Sequence, residues 1–453
     1  MVEIPIPVNF RSVQIRELTE RLRAGESCSV IGVGDTGKSN LVRHLLRADV
    51  RQLHFGDAAS KIIYLYVDCN KLSQPTEQHL YALILEVLAR MLMEMGGDWA
   101  LLHPRVDDWW QKAVMSGNDA ITRHNLEQAF GAVFAAGALQ IITAFDDCDA
   151  LFRQDSLVLL KSLRALRDDF KQRVVYVPVT RREIKRLHPT HTPEFETFFE
   201  LMVPHVIVVP PYREADALMM LERLAARQDA SPRPLSEAEK SRLVQITGGH
   251  AGLVRAAYFA TRRGERALEP DLVTTLSKQA AIRDECKKIW DCLDEFERGD
   301  LIALARRQPS SNLALTRLKK MGLIVENTDG SPAIFSPLLN AYAADQICRQ
   351  VMIHLDGKSH TVGVDERTIS LTLSEFVVFS ALYEKRPAPV SRDDLIARLM
   401  SVKADPSQLH GHPERRLDHC LAQLKTKIDL PGNSYIIMLD KENAVRLVDE
   451  IGQ

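Results

Sequence analysis

VIGVGDTGKSN, residues Val30 to Asn40, decides how the first half of the chain reads. Gly32-x-x-x-x-Gly37-Lys38-Ser39 is a glycine-rich loop, entered by a strand-like run ("CSVIGV") and left by a helical one ("SNLVRHLL"). Glycines at its ends let the backbone wrap, so that N–H groups along Gly32, Val33, Gly34, Asp35, Thr36, Gly37, Lys38, Ser39 and Asn40 converge on an anion. The following helix adds the positive end of its dipole. Lys38 is placed to reach terminal phosphates, and Ser39 to offer a hydroxyl to Mg²⁺. The loop alone does not separate a motor, a nucleotide-gated switch and a small-molecule kinase.

Further along, the apolar runs "KIIYLYVD", "LQIITAFDD", "VVYVPVT" and "HVIVVPPY" alternate with helical stretches such as "QHLYALILEVLARMLMEM". That rhythm predicts an α/β core, a parallel sheet covered on both faces and ending near Pro211. "IITAFDD" is an apolar strand ending in acids. It would deliver Asp146 beside the phosphate loop as a Mg²⁺ carboxylate, with Asp147 orienting an attacking water. Asp149 either supports these two or caps a helix, and capping is the expected role. The strand "VVYVPVTRRE" would bring Thr180 and Arg181 to the γ-phosphate, where a hydroxyl and a guanidinium can sense or stabilise charge.

After "PPY" only helical signals run to about Gln279, which suggests a small lid. Residues 280–350 read as helices followed by a hairpin, "LIVENTDGSPAIFS", with its turn at Asp329-Gly330. From Val351 strands, helices and a last hairpin follow. The expected domains are therefore 1–211, 212–279, 280–350 and 351–453.

A length of 453 residues suits roughly two to four domains. The net charge of -2 gives no global attraction to nucleic acid or anionic membranes, so any such contact must be local. The seven cysteines are scattered without zinc spacing, as expected of reduced thiols in a cytoplasmic protein. The N-terminus has no signal-peptide pattern, and no apolar run approaches the roughly 20 residues of a membrane span.

Together these motifs, with the "VVPPY" strand and "TGGHAGL", resemble the STAND and Orc/Cdc6-like branches of AAA+-related P-loop ATPases over residues 10 to 275. The resemblance implies bound ATP and Mg²⁺, sheet order 5-1-4-3-2, a helical lid and homo-oligomers. It also permits a subunit-interface arginine finger, for which Arg164, Arg167, Arg173 and Arg182 are candidates, a solvated helix face being the more ordinary role for such residues. In STAND proteins a lid "GxP" meets the adenine. Here Gly249-His250-Ala251-Gly252 stands instead, and His250 or Arg255 is the expected lid contact. "FRSVQIREL" is a loose echo of "FxGRexEL", with Val13 where that motif has arginine.

Segment 351–453 is similar to the winged-helix output domain of OmpR/PhoB-type regulators, through "LTLSEF", "VSRDDLIARLM" and "RRLDHCLAQLKTKI". In the last, Leu417, Leu421, Leu424 and Ile428 make one apolar stripe. Arg415, Arg416, His419, Gln423, Lys425, Thr426 and Lys427 are left as DNA-binding candidates, joined by Lys441 and Arg446 of the wing. The family's "R-G-x-G-Y" wing is replaced by "LDKENAVRL", and acids are about as frequent as bases. Segment 280–350 resembles the winged helix that follows the lid, with Arg317, Lys319 and Lys320 read as a solvated face.

The expected function is an ATP-dependent DNA-binding regulator with slow hydrolysis. Two alternatives stay open. One is an oligomerising assembly ATPase of replication-initiator or transposition type; the other is a STAND signalling or defence ATPase whose winged helix binds protein.

Overall fold

Five parallel strands, β1 (Ser29–Ile31), β2 (Ile62–Asp68), β3 (Gln140–Asp146), β4 (Val174–Thr180) and β5 (Val206–Val208), lie in the order β2-β3-β4-β1-β5. This is the expected 5-1-4-3-2 sheet. The computed structural model describes residues 5–152, 157–187, 198–202, 204–226, 235–262, 269–308, 314–346, 348–350, 353–364, 367–386, 388–401, 413–428, 437–439, 444–447 and 450–452. All seven residues of β3 and of β4 are buried, because helices cover both faces.

The period of two along β2 sorts its side chains between two cores. Ile63, Leu65 and Val67 join the cluster under helices α4 (Glu77–Met95), α5 (His103–Ser116) and α6 (Asp119–Ala135). Ile62 and Tyr64 join the opposite one, with α1 (Ser12–Arg23), α2 (Lys38–His44) and α3 (Ala48–Phe55). Registers Asp68↔Asp146 and Ile31↔Thr180 bring the carboxyl ends of these strands to one edge, where sheets of this kind bind ligands.

The lid contains α8 (Glu214–Ala226), α9 (Glu237–Thr247) and α10 (Ala251–Arg262), α7 being Leu157–Phe170 on the sheet. A Ser236/Glu239 capping box starts α9, and Gly248 ends it in the left-handed conformation. Helix α11 (Ala280–Asp291) packs on α10, and contacts divide the chain so that Ala280–Cys292 belongs with the first unit, residues 1–272.

The second unit comprises Val273–Gln279 and Leu293–Gln453. Helices α12 (Glu295–Ala305) and α13 (Leu315–Lys320) precede the antiparallel hairpin β6 (Ile324–Glu326) and β7 (Pro332–Ile334), with Gly330 at positive φ in its turn. After α14 (Pro337–Asp345), β8 (Cys348–Gln350) pairs with β14 (Glu450–Gly452). Strands β9 (Ile353–Asp356), β10 (Thr361–Val364) and β11 (Arg367–Ser370) form an antiparallel sheet. Helices α15 (Leu373–Lys385), α16 (Arg392–Met400) and α17 (Pro413–Ile428) follow, then the hairpin β12 (Ile437–Leu439) and β13 (Val445–Leu447). The stripe Leu417, Leu421, Leu424 and Ile428 is buried in this core.

Candidate functional site

A cleft of about 630 Å³ opens at the carboxyl edge of the sheet. Gly34, Asp35, Gly37, Lys38, Ser39 and Asn40 line one side of it, and Asp147, Arg181, Met220, Ala251, Gly252, Arg255 and Lys288 the rest. The loop turns as its sequence requires: Gly37 has φ 90°, and a Cβ there would lie 2.6 Å from the Tyr212 hydroxyl. Asp35 also takes a positive φ, 53°. Lys38 Nζ donates to the carbonyls of Gly32 (2.8 Å) and Val33 (2.9 Å). Burial lowers its pKa, against the field of Cys292, Asp149 and Asp147.

Asp146 is buried at the end of β3, and the Tyr66 hydroxyl donates to it at 2.5 Å. Burial raises its pKa; the neighbouring hydroxyls of Tyr66 and Ser39 oppose that. The Ser39 and Asp146 side chains, expected as metal partners, are therefore neighbours. Asp147 sits at φ 50° and accepts from Asn70 Nδ2 at 2.9 Å. Asp149 lies in a 3₁₀ turn and accepts from the Arg181 N–H at 3.1 Å, so it positions the Thr180-Arg181 turn. The Thr180 hydroxyl is buried and donates to the Arg182 carbonyl at 2.7 Å, which directs it into its own turn and away from the cleft.

His250 is fully buried with Nε2 2.7 Å from the Gly34 carbonyl. Burial drives its pKa down to about 4, so the neutral ring donates to the loop and holds it from behind. It does not line the cleft, whereas Arg255 does, facing Asp35 (3.5 Å) and Glu285 (3.4 Å). Among the arginine-finger candidates, Arg164 pairs with Asp168 at 2.8 Å, and Arg167 lies 3.5 Å from that carboxylate. Arg173 donates to the Ala138 carbonyl (2.8 Å) and stacks on Phe134. Arg182 clasps the end of α11 through the Cys292 and Asp291 carbonyls, at 2.6 and 2.7 Å.

Sequence reading missed several supports. Arg11, at φ 48°, is buried and donates to the carbonyls of Thr36 (2.6 Å) and Pro210 (2.7 Å) across the Tyr212 ring. It lies two positions before Val13, inside the loosely matched "FRSVQIREL". Lys288 and Cys292 reach the loop from α11 and its end, about 250 positions downstream. No local pattern marks them.

In the second unit, Arg415, His419 and Gln423 share one exposed face of α17 at a spacing of four. Arg416 donates to the Met400 sulfur at 3.6 Å. The Thr426 hydroxyl donates to Ala422 O at 2.9 Å, Lys425 is half-buried, and Lys427 is paired with Glu375 at 2.7 Å. That pairing occupies the Lys427 ammonium, one of the expected DNA contacts. Lys441 and the Arg446 side chain lie outside the described residues. Arg317 is held by Asp294 and Glu297, and Lys319 by Glu326.

No family model matches the chain, and no curated protein does. Among solved structures it is similar to the Walker-type ATPase of Pyrococcus abyssi, at 17% identity and TM-score 0.43, covering 74% of this chain and 95% of that one. It is also similar to the Orc1 protein of Aeropyrum pernix in complex with DNA, at 14% and TM-score 0.33, over 74% and 92%. The C-terminal DNA-binding domain of RstA from Klebsiella pneumoniae matches 23% of this chain and 89% of its own, at 18% and TM-score 0.18. Likenesses this distant carry no functional weight. The sheet order, phosphate loop and acid-ended β3 define the α/β core of a P-loop NTPase. Among the described residues, no helix is long and apolar enough to cross a membrane.

Proposed function

We propose that the protein is an ATP- and Mg²⁺-binding regulator whose nucleotide state sets how its second unit binds DNA. The observation carrying this reading is the convergence of Lys38, Ser39, Asp147 and Arg181 on one cleft beside Asp146. Loop N–H groups and Lys38 match phosphate charge, and Arg181, Arg255 and Lys288 add cations at the rim. Ser39 and Asp146 fit Mg²⁺, being a hydroxyl and a buried carboxylate already near one another. The ion would neutralise phosphate oxygens. Asp147, braced by Asn70, is the group available to orient a water, and slow hydrolysis is the expected rate class.

For DNA, Arg415, His419 and Gln423 supply cationic, imidazole and amide groups along an exposed helix face, types suited to phosphates and base edges. Beyond α11, the rest of segment 280–350 and segment 351–453 are read as winged helices, the chain as cytoplasmic, and the first unit as the surface for any homo-oligomer. A fluorescence titration of duplex DNA with ATP, ADP and Lys38→Ala tests the reading. Affinities should differ between nucleotides by about 5-fold or more, and Lys38→Ala should abolish the difference. Equal binding throughout rejects the switch, and absence of DNA binding favours the protein-contact alternative. Light scattering in the same samples distinguishes ATP-driven assembly from switching without assembly.

A further inference from the structure

The end of α11 is fastened to the phosphate loop at two points, and Arg182 holds it from the end of β4. The Gly34 N–H donates to Cys292 Sγ at 3.3 Å, and that thiol donates to the Lys288 carbonyl at 3.1 Å. Lys288 Nζ bonds Asp35 Oδ2 at 2.8 Å and Glu285 Oε1 at 2.9 Å. Arg182 grips the final two carbonyls from the β4 side. Contact is close: a Cβ on Gly34 would come within 3.2 Å of the Lys288 carbonyl oxygen.

What surrounds the thiol matters more than the thiol itself. Cys292 is 6% exposed and lies in the fields of Lys38, Arg181 and Arg182. Burial raises its pKa, so it remains a neutral thiol, a weak acceptor for the Gly34 N–H among these cations. Lys38 and Arg181 are the groups placed for a terminal phosphate. A phosphate oxygen is a far stronger acceptor for such donors than a thiol.

We propose that the end of α11, tipped by Cys292, straps the terminal-phosphate corner of the cleft, is displaced by nucleoside triphosphate and is tolerated by diphosphate. Cys292 and Arg182 then determine how strongly the site distinguishes the two. This rests on the nucleotide-binding reading above and adds its regulation. Displacement would act directly on the chain at Leu293, where the larger segment of the second unit starts. A ligand can shift such an arrangement only by binding its two states unequally, and competition for one corner supplies that inequality.

The test uses the full chain, Mg²⁺, and saturating ADP or a non-hydrolysable ATP analogue. Peptide-resolved alkylation of Cys292 by N-ethylmaleimide is measured in each, and both nucleotides are titrated into wild type, Cys292→Ala and Arg182→Ala. Alkylation should be about 10-fold faster with the triphosphate, and both variants should raise the triphosphate-to-diphosphate affinity ratio about 10-fold. Unchanged alkylation with both nucleotides demonstrably bound, or unchanged ratios in both variants, overturns the strap alone. If neither nucleotide binds, the nucleotide reading falls and the strap with it.

Discussion

Arg11 is a charged side chain buried behind the phosphate loop, with two carbonyls and an aromatic face as its partners. Arg11→Ala would leave those carbonyls unpaired and should destabilise the first unit by about 2–4 kcal/mol in urea denaturation. Arg11→Lys should fail to restore it, since one ammonium does not reproduce the planar fork. His250 adds a pH dependence. Its folded pKa of about 4 lies below the unfolded value of about 6.5, so the unfolded chain binds the extra proton between those values. The contribution is complete above about pH 6.5 and is lost as pH falls towards 4, on the order of 3 kcal/mol. His250→Gln should flatten that part of the stability–pH curve. An unaltered curve would remove the buried ring as its source.

Helix α17 separates two jobs that its sequence does not distinguish. Lys427 is tied to Glu375, whose own side chain caps α15, so Lys427→Ala should lower the stability of the second unit by about 1–2 kcal/mol. Arg415 stands exposed, so Arg415→Ala should leave the melting temperature unchanged while reducing the salt slope of DNA binding by about 1. Equal melting losses in both variants would contradict this division. The strands, α2 and the apolar stripe of α17 were readable because periodicity and the phosphate-loop spacing are local properties. Ion pairs such as Lys427–Glu375, and the reach of α11 to Gly34, were not. They depend on which surfaces pack together, as does the inward turn of the Thr180 hydroxyl.

Across the whole chain, the phosphate loop and helix α17 belong to separate compact units, with Cys292 closing the last segment of the first. The proposed coupling between them requires a magnesium–triphosphate to bind first. The decisive measurement is a calorimetric titration of ATP with Mg²⁺ into wild type, Lys38→Ala and Asp146→Asn. Saturable one-site binding in wild type, weakened at least about 10-fold by each substitution, is the predicted result. Absence of binding in wild type, or affinity indifferent to Lys38 and Asp146, would contradict the account.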